Sequence, residues 1–132
     1  MAQSLFIETS WPPRILSPNA GRTRDIWNRK RAKDTARNEG FVATCAALSP
    51  QRDGPWGNGP PLGGGPFKVT IHAHPPTNRT RDDDNLVSSC KAMLDGVARR
   101  LKVDDSQFKL QPVQWHPAGR PGGLFIQIEV EP

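Results

Sequence analysis

The sequence predicts an α/β (α+β) domain in which a small mixed sheet of about four strands packs against two main helices. A chain of 132 residues suits one domain with a core of modest size. The stretch from Phe67 to His74 alternates with a period of two, which is typical of a half-buried strand. Between Leu86 and Leu101 the apolar residues recur at helical spacing. We therefore treat residues 1–132 as a single domain.

The first strand is predicted from Leu5 to Ser10, because the following Pro12 and Pro13 cannot donate to a strand ladder. Helix-forming residues then predict a first helix from about Thr23 to Leu48. We expect Gly40 to divide this helix. Its apolar positions are expected at Phe41, Cys45 and Leu48.

The middle of the chain, from about residue 49 to 66, is rich in Gly and Pro and predicts an internal loop rather than a domain boundary. The strand from Phe67 to His74 follows it. Two further strands are predicted from Phe108 to Trp115 and from Leu124 to Val130, with a turn between them.

The second helix has the clearest pattern in the chain. One stripe of its surface is apolar and is expected to face the core, with Leu86, Cys90, Met93, Leu94, Val97 and Leu101. Roughly opposite lie Asp84, Ser88, Lys91 and Asp95. One face therefore builds the core, and the other presents acids, a hydroxyl and a lysine.

Two clusters of carboxylates bracket this helix, with Asp82, Asp83 and Asp84 before it and Asp104 and Asp105 after it. Oxygen ligands are what Mg²⁺ or Mn²⁺ prefers, and two or three carboxylates usually suffice. The alternative is structural, because Asp83 or Asp84 placed at the start of a helix is a favourable cap. A single cap explains one acid and not three.

Basic residues suggest an anionic partner, since the net charge is +5 and the pI is about 9.8. Between residues 14 and 38 the sequence has eight Arg or Lys against two Asp. Such a patch suits nucleic acid or an acidic membrane surface, and its members are Arg14, Arg22, Arg24, Arg29, Lys30, Arg31, Lys33 and Arg37. A solvated basic face is the alternative interpretation.

The two cysteines, Cys45 and Cys90, lack metal-binding spacing and are interpreted as reduced core residues. Reduced cysteines favour an intracellular protein, and we expect it in the cytoplasm. No apolar run approaches the length of a membrane span, so no membrane association is expected.

His72 and His74 share one strand face, but we find no Cys or His elsewhere that completes a tetrahedral zinc set. We interpret both as ordinary strand residues. Among the tryptophans, Trp27 and Trp115 are expected in the core, whereas Trp11 and Trp56 lie in predicted loops and are open to a role in base stacking.

The combined motifs resemble the RusA family of Holliday-junction resolvases and its phage-encoded relatives. The pattern is a pair of arginines (Arg79 and Arg81), then Asp82-Asp83-Asp84-Asn85, then Lys91-Ala92-Met93-Leu94-Asp95, then Asp104-Asp105-Ser106-Gln107. The Pro-Pro element after the first strand also matches, as does Pro18-Asn19 in the turn that follows. In outline the resemblance covers most of the chain.

The resemblance implies a homodimeric, RusA-like endonuclease that binds four-way DNA junctions and makes paired nicks with Mg²⁺, for which Mn²⁺ is expected to substitute. Asp82, Asp84 and Asp105 match the catalytic metal-binding acids, and Lys91 matches the catalytic lysine. Asn85 and Asp104 match supporting positions. The resemblance also makes the basic residues listed above, from Arg14 to Arg37, the candidate DNA-binding residues, together with Arg79 and Arg81.

Two features depart from the family pattern. Lys91 lies six residues after Asn85, where the best-known pattern has three, so its role is less firmly implied than that of the acids. The Gly/Pro-rich loop is the other departure. A further expectation concerns distance: one unbroken helix over 85–101 would separate Asp84 from Asp105 by roughly 25 Å or more. Either the helix is broken or Asp105 acts across the dimer.

Overall fold

The computed structural model describes residues 4–17, 26–51, 56, 66–78 and 82–130. In chain order these form strand β1 (Ser4–Thr9), helix α1 (Ile26–Leu48), strand β2 (Phe67–His74), helix α2 (Asp83–Leu101), and strands β3 (Phe108–Leu110), β4 (Gln114–Trp115) and β5 (Gly123–Val130). Short 3-10 helices occupy Arg14–Leu16, Ser49–Gln51 and Asp105–Gln107. The predicted mixed α+β class with two main helices is confirmed.

The strands form one mixed sheet in the order β1-β5-β2-β3, and β4 also pairs with β2. Strand β5 is central and antiparallel to both of its neighbours, whereas β3 and β4 run parallel to β2. The parallel pairs arise because α2 carries the chain from the end of β2 back to its beginning.

The sheet has five strands rather than about four, because the strand predicted from Phe108 to Trp115 is split. Residues 111–113 leave the ladder between β3 and β4, and Pro112 among them has no N–H to donate. Backbone hydrogen bonds from Gln111 to Val69 (2.9 Å) and from His116 to Ala73 (2.8 Å) keep the segment against β2.

The core lies between the sheet and the two helices. Alternate residues of β2 are buried, as the period of two predicts, with Phe67, Val69, Ile71 and Ala73 facing inward. The predicted stripe of α2 is buried throughout, with Leu86, Cys90, Met93, Leu94, Val97 and Leu101. The strand and helix periodicities therefore identified most of the core correctly.

Helices α1 and α2 cross in close contact at two glycines. A Cβ atom on Gly40 would overlap the backbone carbonyl of Met93, and one on Gly96 would overlap that of Arg37. The expected division of α1 at Gly40 is wrong, because the helix runs unbroken from Ile26 to Leu48. The glycine instead lets the two backbones approach.

The crossing also determines which side of α1 faces the core. The buried residues of α1 are Gly40, Thr44 and Leu48, spaced four apart. Phe41, predicted to be apolar core, is 40% exposed because it lies about 100° around the helix from Gly40. Cys45 is only partly buried.

The start of α1 predicted at Thr23 lies outside the described residues, as does most of the Gly/Pro-rich segment. Strand β1 ends at Thr9, one residue before its predicted end at Ser10. Ser10 leaves the ladder and donates from its backbone amide to Glu39 Oε1 at 2.8 Å. Among the described helices, none combines the length and the apolar character needed to cross a membrane.

Candidate metal and nucleic-acid site

The first acidic cluster forms the beginning of α2. Asp82 is the N-cap, and its Oδ1 accepts a hydrogen bond from the amide of Asp84 at 3.0 Å. The cap is therefore Asp82 rather than Asp83 or Asp84, because the helix begins one residue earlier than the capping alternative assumed. All three carboxylates are exposed. Capping engages one oxygen of Asp82, and the side chain of Asp84 faces solvent.

Asp83 has a separate structural contact. Its Oδ1 accepts a hydrogen bond of 2.6 Å from the indole Nε1 of Trp115, which lies on β4. The Trp115 ring also contacts the ring of Trp11, with centroids 6.4 Å apart. These contacts attach the start of α2 to the end of β4.

The second acidic cluster lies beyond the far end of α2. Asp104 caps the short 3-10 helix and accepts a hydrogen bond from the Ser106 amide at 2.9 Å. This hydrogen bond is the main reason that the pKa of the Asp104 carboxyl is lowered. Asp105 is exposed at the start of the same 3-10 helix.

The two clusters do not meet within one chain. Helix α2 runs unbroken over 19 residues between them, which corresponds to about 28 Å along its axis. The sheet also places the two clusters apart. Strand β3 follows Asp105 and starts beside Phe67, whereas Asp83 contacts β4 near the other end of β2. Among the described residues, no three His, Cys, Asp or Glu side chains are grouped to hold a metal ion.

A basic groove of about 380 Å³ runs between α1 and α2. Its cationic side chains are Arg29, Lys33 and Arg37 from α1 and Lys91 from α2. Ser88 and Asp95 line it from α2 as well, so the polar face predicted for this helix does turn away from the sheet. The groove gathers residues that are far apart in sequence into one cationic surface.

Arg37 differs from the other cations of the groove because it is held by two carboxylates. Its Nε donates to Asp95 Oδ2 at 2.7 Å and its Nη1 donates to Asp34 Oδ1 at 2.9 Å. The hydrogen bond to Asp95 is the main cause that raises the pKa of Arg37. Arg37 therefore joins α1 to α2, and Arg29, Lys33 and Lys91 are the cations of the groove better placed to receive a phosphate.

The remaining candidate residues are spread more widely. Lys30 and Arg31 are exposed on α1, and Arg14 is exposed on the first 3-10 helix. Asn85 lies in the first turn of α2, where its carbonyl accepts from Ser89 Oγ at 2.8 Å. Four candidate arginines lie outside the described residues, namely Arg22, Arg24, Arg79 and Arg81.

The tryptophans are arranged differently from the prediction. Trp27, expected in the core, is 70% exposed, and Trp115 is 36% exposed. Trp56 is instead the buried one, at 1% exposed, and it packs beside Phe67 with ring centroids 6.5 Å apart. Periodicity does not reveal these positions. Trp56 comes from a loop segment, and Trp27 lies on a side of α1 that no other described element covers.

His116 was missed by the sequence interpretation, and it completes a cluster of histidines on the sheet face away from the helices. His116 Nε2 lies 3.0 Å from His72 Nδ1, and its ring stacks on that of His74 with centroids 4.7 Å apart. His72 Nε2 also lies 2.8 Å from Gln127 Oε1. Only the pairing of β4 with β2 brings His116 here, so no local pattern signals it.

Comparison with known proteins relates the chain to a bacterial protein. No protein-family model matches the chain, so the likeness to the RusA family rests on its motifs alone. The chain is 35% identical over 118 residues to a protein of Xylella fastidiosa (strain Temecula1) that is described as uncharacterized. The match covers 89% of this chain and 71% of that protein.

Proposed function

We propose that this chain, which belongs to the same family as the Xylella fastidiosa protein, is a magnesium-dependent endodeoxyribonuclease that resolves four-way (Holliday) DNA junctions by paired symmetric nicks. Its role would lie in DNA recombination and repair, as the motif resemblance to RusA-type resolvases implies.

One observation carries the proposal: two solvent-facing carboxylates begin a helix whose exposed side lines a cationic groove. Asp82 and Asp84 stand at the start of α2, and Lys91 lies two turns further along it. Arg29 and Lys33 face Lys91 across the groove. Carboxylates beside phosphate-binding cations are the combination that a metal-dependent nuclease needs.

The acids suit Mg²⁺ in number and type. Mg²⁺ is often held by one or two carboxylates together with substrate phosphates and water, and Asp82 and Asp84 offer two. When bound, the ion would supply an activated water for in-line attack and neutralise charge on the phosphate. Lys91 would stabilise the negative charge that develops on the phosphate oxygens. Arg29 and Lys33 would hold the flanking backbone.

The length of α2 supports the proposal of a homodimer if Asp105 belongs to the metal site. Because Asp105 lies about 28 Å from the start of the helix in its own chain, it would join Asp82 and Asp84 only if it came from the partner subunit. A two-fold dimer would then present two composite sites to two DNA strands of like polarity. Mixing Asp84→Asn with Asp105→Asn chains tests this, because heterodimers contain one intact composite site. Recovered nicking supports sharing, and an inactive mixture of proven heterodimers contradicts it.

The decisive experiment is cleavage of a synthetic four-way junction, with linear duplex as the control substrate, in Mg²⁺ and in chelator. Asp84→Asn should abolish paired nicking. Asp83→Asn is the matched control, since it lies in the same exposed cluster but its carboxylate is engaged by Trp115. Asp83→Asn should keep most of the activity, because an amide oxygen can still accept the indole hydrogen bond.

A second candidate function is a DNA-junction-binding protein without nuclease activity. Asp82 caps α2, which gives at least one of the acids a purely structural use. Tight junction binding without cleavage in Mg²⁺ or Mn²⁺ would favour this function. A magnesium nuclease that prefers other branched DNA is the third candidate, and competition between junction, flap and duplex substrates separates it from a junction resolvase.

We also infer a cytoplasmic location. Neither cysteine of the chain forms a disulfide, and Cys90 is buried. Burial raises the pKa of the Cys90 thiol to about 12, which keeps it protonated and unreactive. Reduced thiols of this kind are typical of proteins in the cytosol.

A further inference from the structure

Trp27 is a large aromatic side chain that the fold leaves in solvent. It is the second residue of α1 and is 70% exposed, and its neighbour Ile26 is 74% exposed. The other three tryptophans are engaged, since Trp56 is buried and Trp11 packs against Trp115. Trp27 therefore contributes little to the core, and its exposed ring calls for another explanation.

The surroundings of Trp27 are strongly cationic. Lys30 Nζ lies 5.7 Å from the centre of the indole ring, one helical turn away. Arg29, Arg31 and Lys33 belong to the same first turns of α1. Among the described residues of these turns the acid is Asp34, and its Oδ1 accepts a hydrogen bond from Arg37 Nη1 at 2.9 Å. In this described part of α1, the cations therefore outnumber the acids.

The cations also connect Trp27 to the groove between the helices. On a helical wheel Lys30 falls between Trp27 and Lys33, about 60° from each. Lys33 lines the groove, together with Arg29 and Lys91. A nucleic-acid strand whose phosphates lie on Lys33 and Lys30 would bring a base within reach of the indole face.

Charge decides which partner fits this surface. A second copy of the chain would place another set of like charges against Lys30, Arg31 and Lys33, which is unfavourable. An unpaired nucleotide complements both features of this surface. Its anionic phosphate suits the cationic side chains, and the flat π-face of its base stacks on the indole. A fully paired duplex offers the phosphate alone.

We propose that Trp27 and Lys30 form a stacking platform for an unpaired base of single-stranded or branched DNA. The platform rests on the proposed function only in taking DNA as the partner, and it requires neither metal nor cleavage. It would direct the protein to the branch point of a junction, where bases can leave the duplex stack.

The test is binding of a fluorescently labelled oligothymidine, about 20 nucleotides long, to the full chain in chelator, measured by anisotropy. Trp27→Leu should weaken binding about tenfold or more, and Trp27→Phe should retain most of the affinity because it keeps an aromatic face. Ile26→Ala is the matched control, an equally exposed apolar neighbour, and should leave the affinity unchanged within about twofold. Binding to linear duplex should change little in all three variants.

Salt dependence separates stacking from simple charge attraction. Lys33→Gln should reduce the slope of affinity against salt concentration, whereas Trp27→Leu should lower the affinity with the slope unchanged. An unchanged affinity for oligothymidine in the Trp27→Leu variant would overturn the proposed platform. A shift of Trp27→Leu to a smaller species in sedimentation would also overturn it, since the indole would then be a contact between copies.

The oligothymidine-binding test of the platform is independent of nuclease activity. A protein that binds oligothymidine through Trp27 but never cleaves a junction would retain the platform and lose the proposed function. A protein that cleaves junctions equally well with and without Trp27, and binds oligothymidine equally well, would lose the platform and keep the nuclease.

Discussion

The indole Nε1 of Trp115 donates a hydrogen bond of 2.6 Å to Asp83 Oδ1, which joins the end of β4 to the start of α2. The two residues are 32 positions apart in the chain. Through this contact the sheet helps to fix the helix terminus that carries Asp82 and Asp84, the two acids proposed to hold a metal.

Replacing Trp115 with Phe should remove this hydrogen bond but keep the aromatic contact with Trp11. Because Asp83 is charged but exposed, we expect the free energy of unfolding to fall by about 0.5–1.5 kcal/mol. Urea denaturation measures the change. If the effect comes from the hydrogen bond, the same substitution in an Asp83→Ala background should cost clearly less.

Gly40→Ala should destabilise the protein even though alanine favours a helix by about 1 kcal/mol over glycine. The added methyl would overlap the carbonyl of Met93 and force the two helices apart, for which we expect a loss of about 1–3 kcal/mol. Thermal unfolding monitored by circular dichroism gives the measurement. Gly119→Ala is the control, since a Cβ there meets nothing within 4 Å. Equal stability of the two variants would contradict the close helix crossing.

Arg37 and Asp95 should show a measurable coupling in a double-mutant cycle. Their side chains are 30% and 32% exposed, so solvent screening limits the expected coupling to about 0.5–1 kcal/mol. The cycle compares Arg37→Ala, Asp95→Ala and the double variant by urea denaturation. The coupling should shrink in 1 M salt. Additive effects of the two substitutions would mean that the ion pair does not join the helices.

His116 should make the stability depend on pH. Its pKa is lowered, first because the ring is partly removed from solvent and then because His74 and His72 oppose a positive charge. The unfolded chain then binds the proton more readily than the folded one. The resulting stability is present above the ordinary pKa of 6.5 and is lost as the pH falls through the lower folded value.

Urea unfolding at several pH values between about 7.5 and 5 tests this. The free energy of unfolding should decline with falling pH, and His116→Gln should show a shallower decline because it removes the ring that His72 and His74 oppose. The same pH dependence in wild type and His116→Gln would show that other groups are responsible.

The sequence by itself determined the strand and the helix with clear periodicity and most of the core that they build. The alternation of Phe67–His74 and the apolar stripe from Leu86 to Leu101 are local periodicities, and each was reproduced as a strand or a helix with the predicted side buried. The acidic clusters at both ends of α2 were equally visible, since capping and charge are properties of short segments.

Tertiary structure alone decided which distant residues meet. Gly40 was misread as a helix break because its effect depends on the backbone of α2, and His116 was missed because it joins His72 only when β4 pairs with β2. For the same reason Trp27, expected in the core, is exposed, and Trp56, expected in a loop, is buried. Burial depends on what packs over a side chain and not on its own character. The separation of Asp84 from Asp105 depends on both sequence and tertiary structure. The sequence predicts the length of the helix, and the unbroken α2 of the structure establishes that the two acids lie apart in one chain.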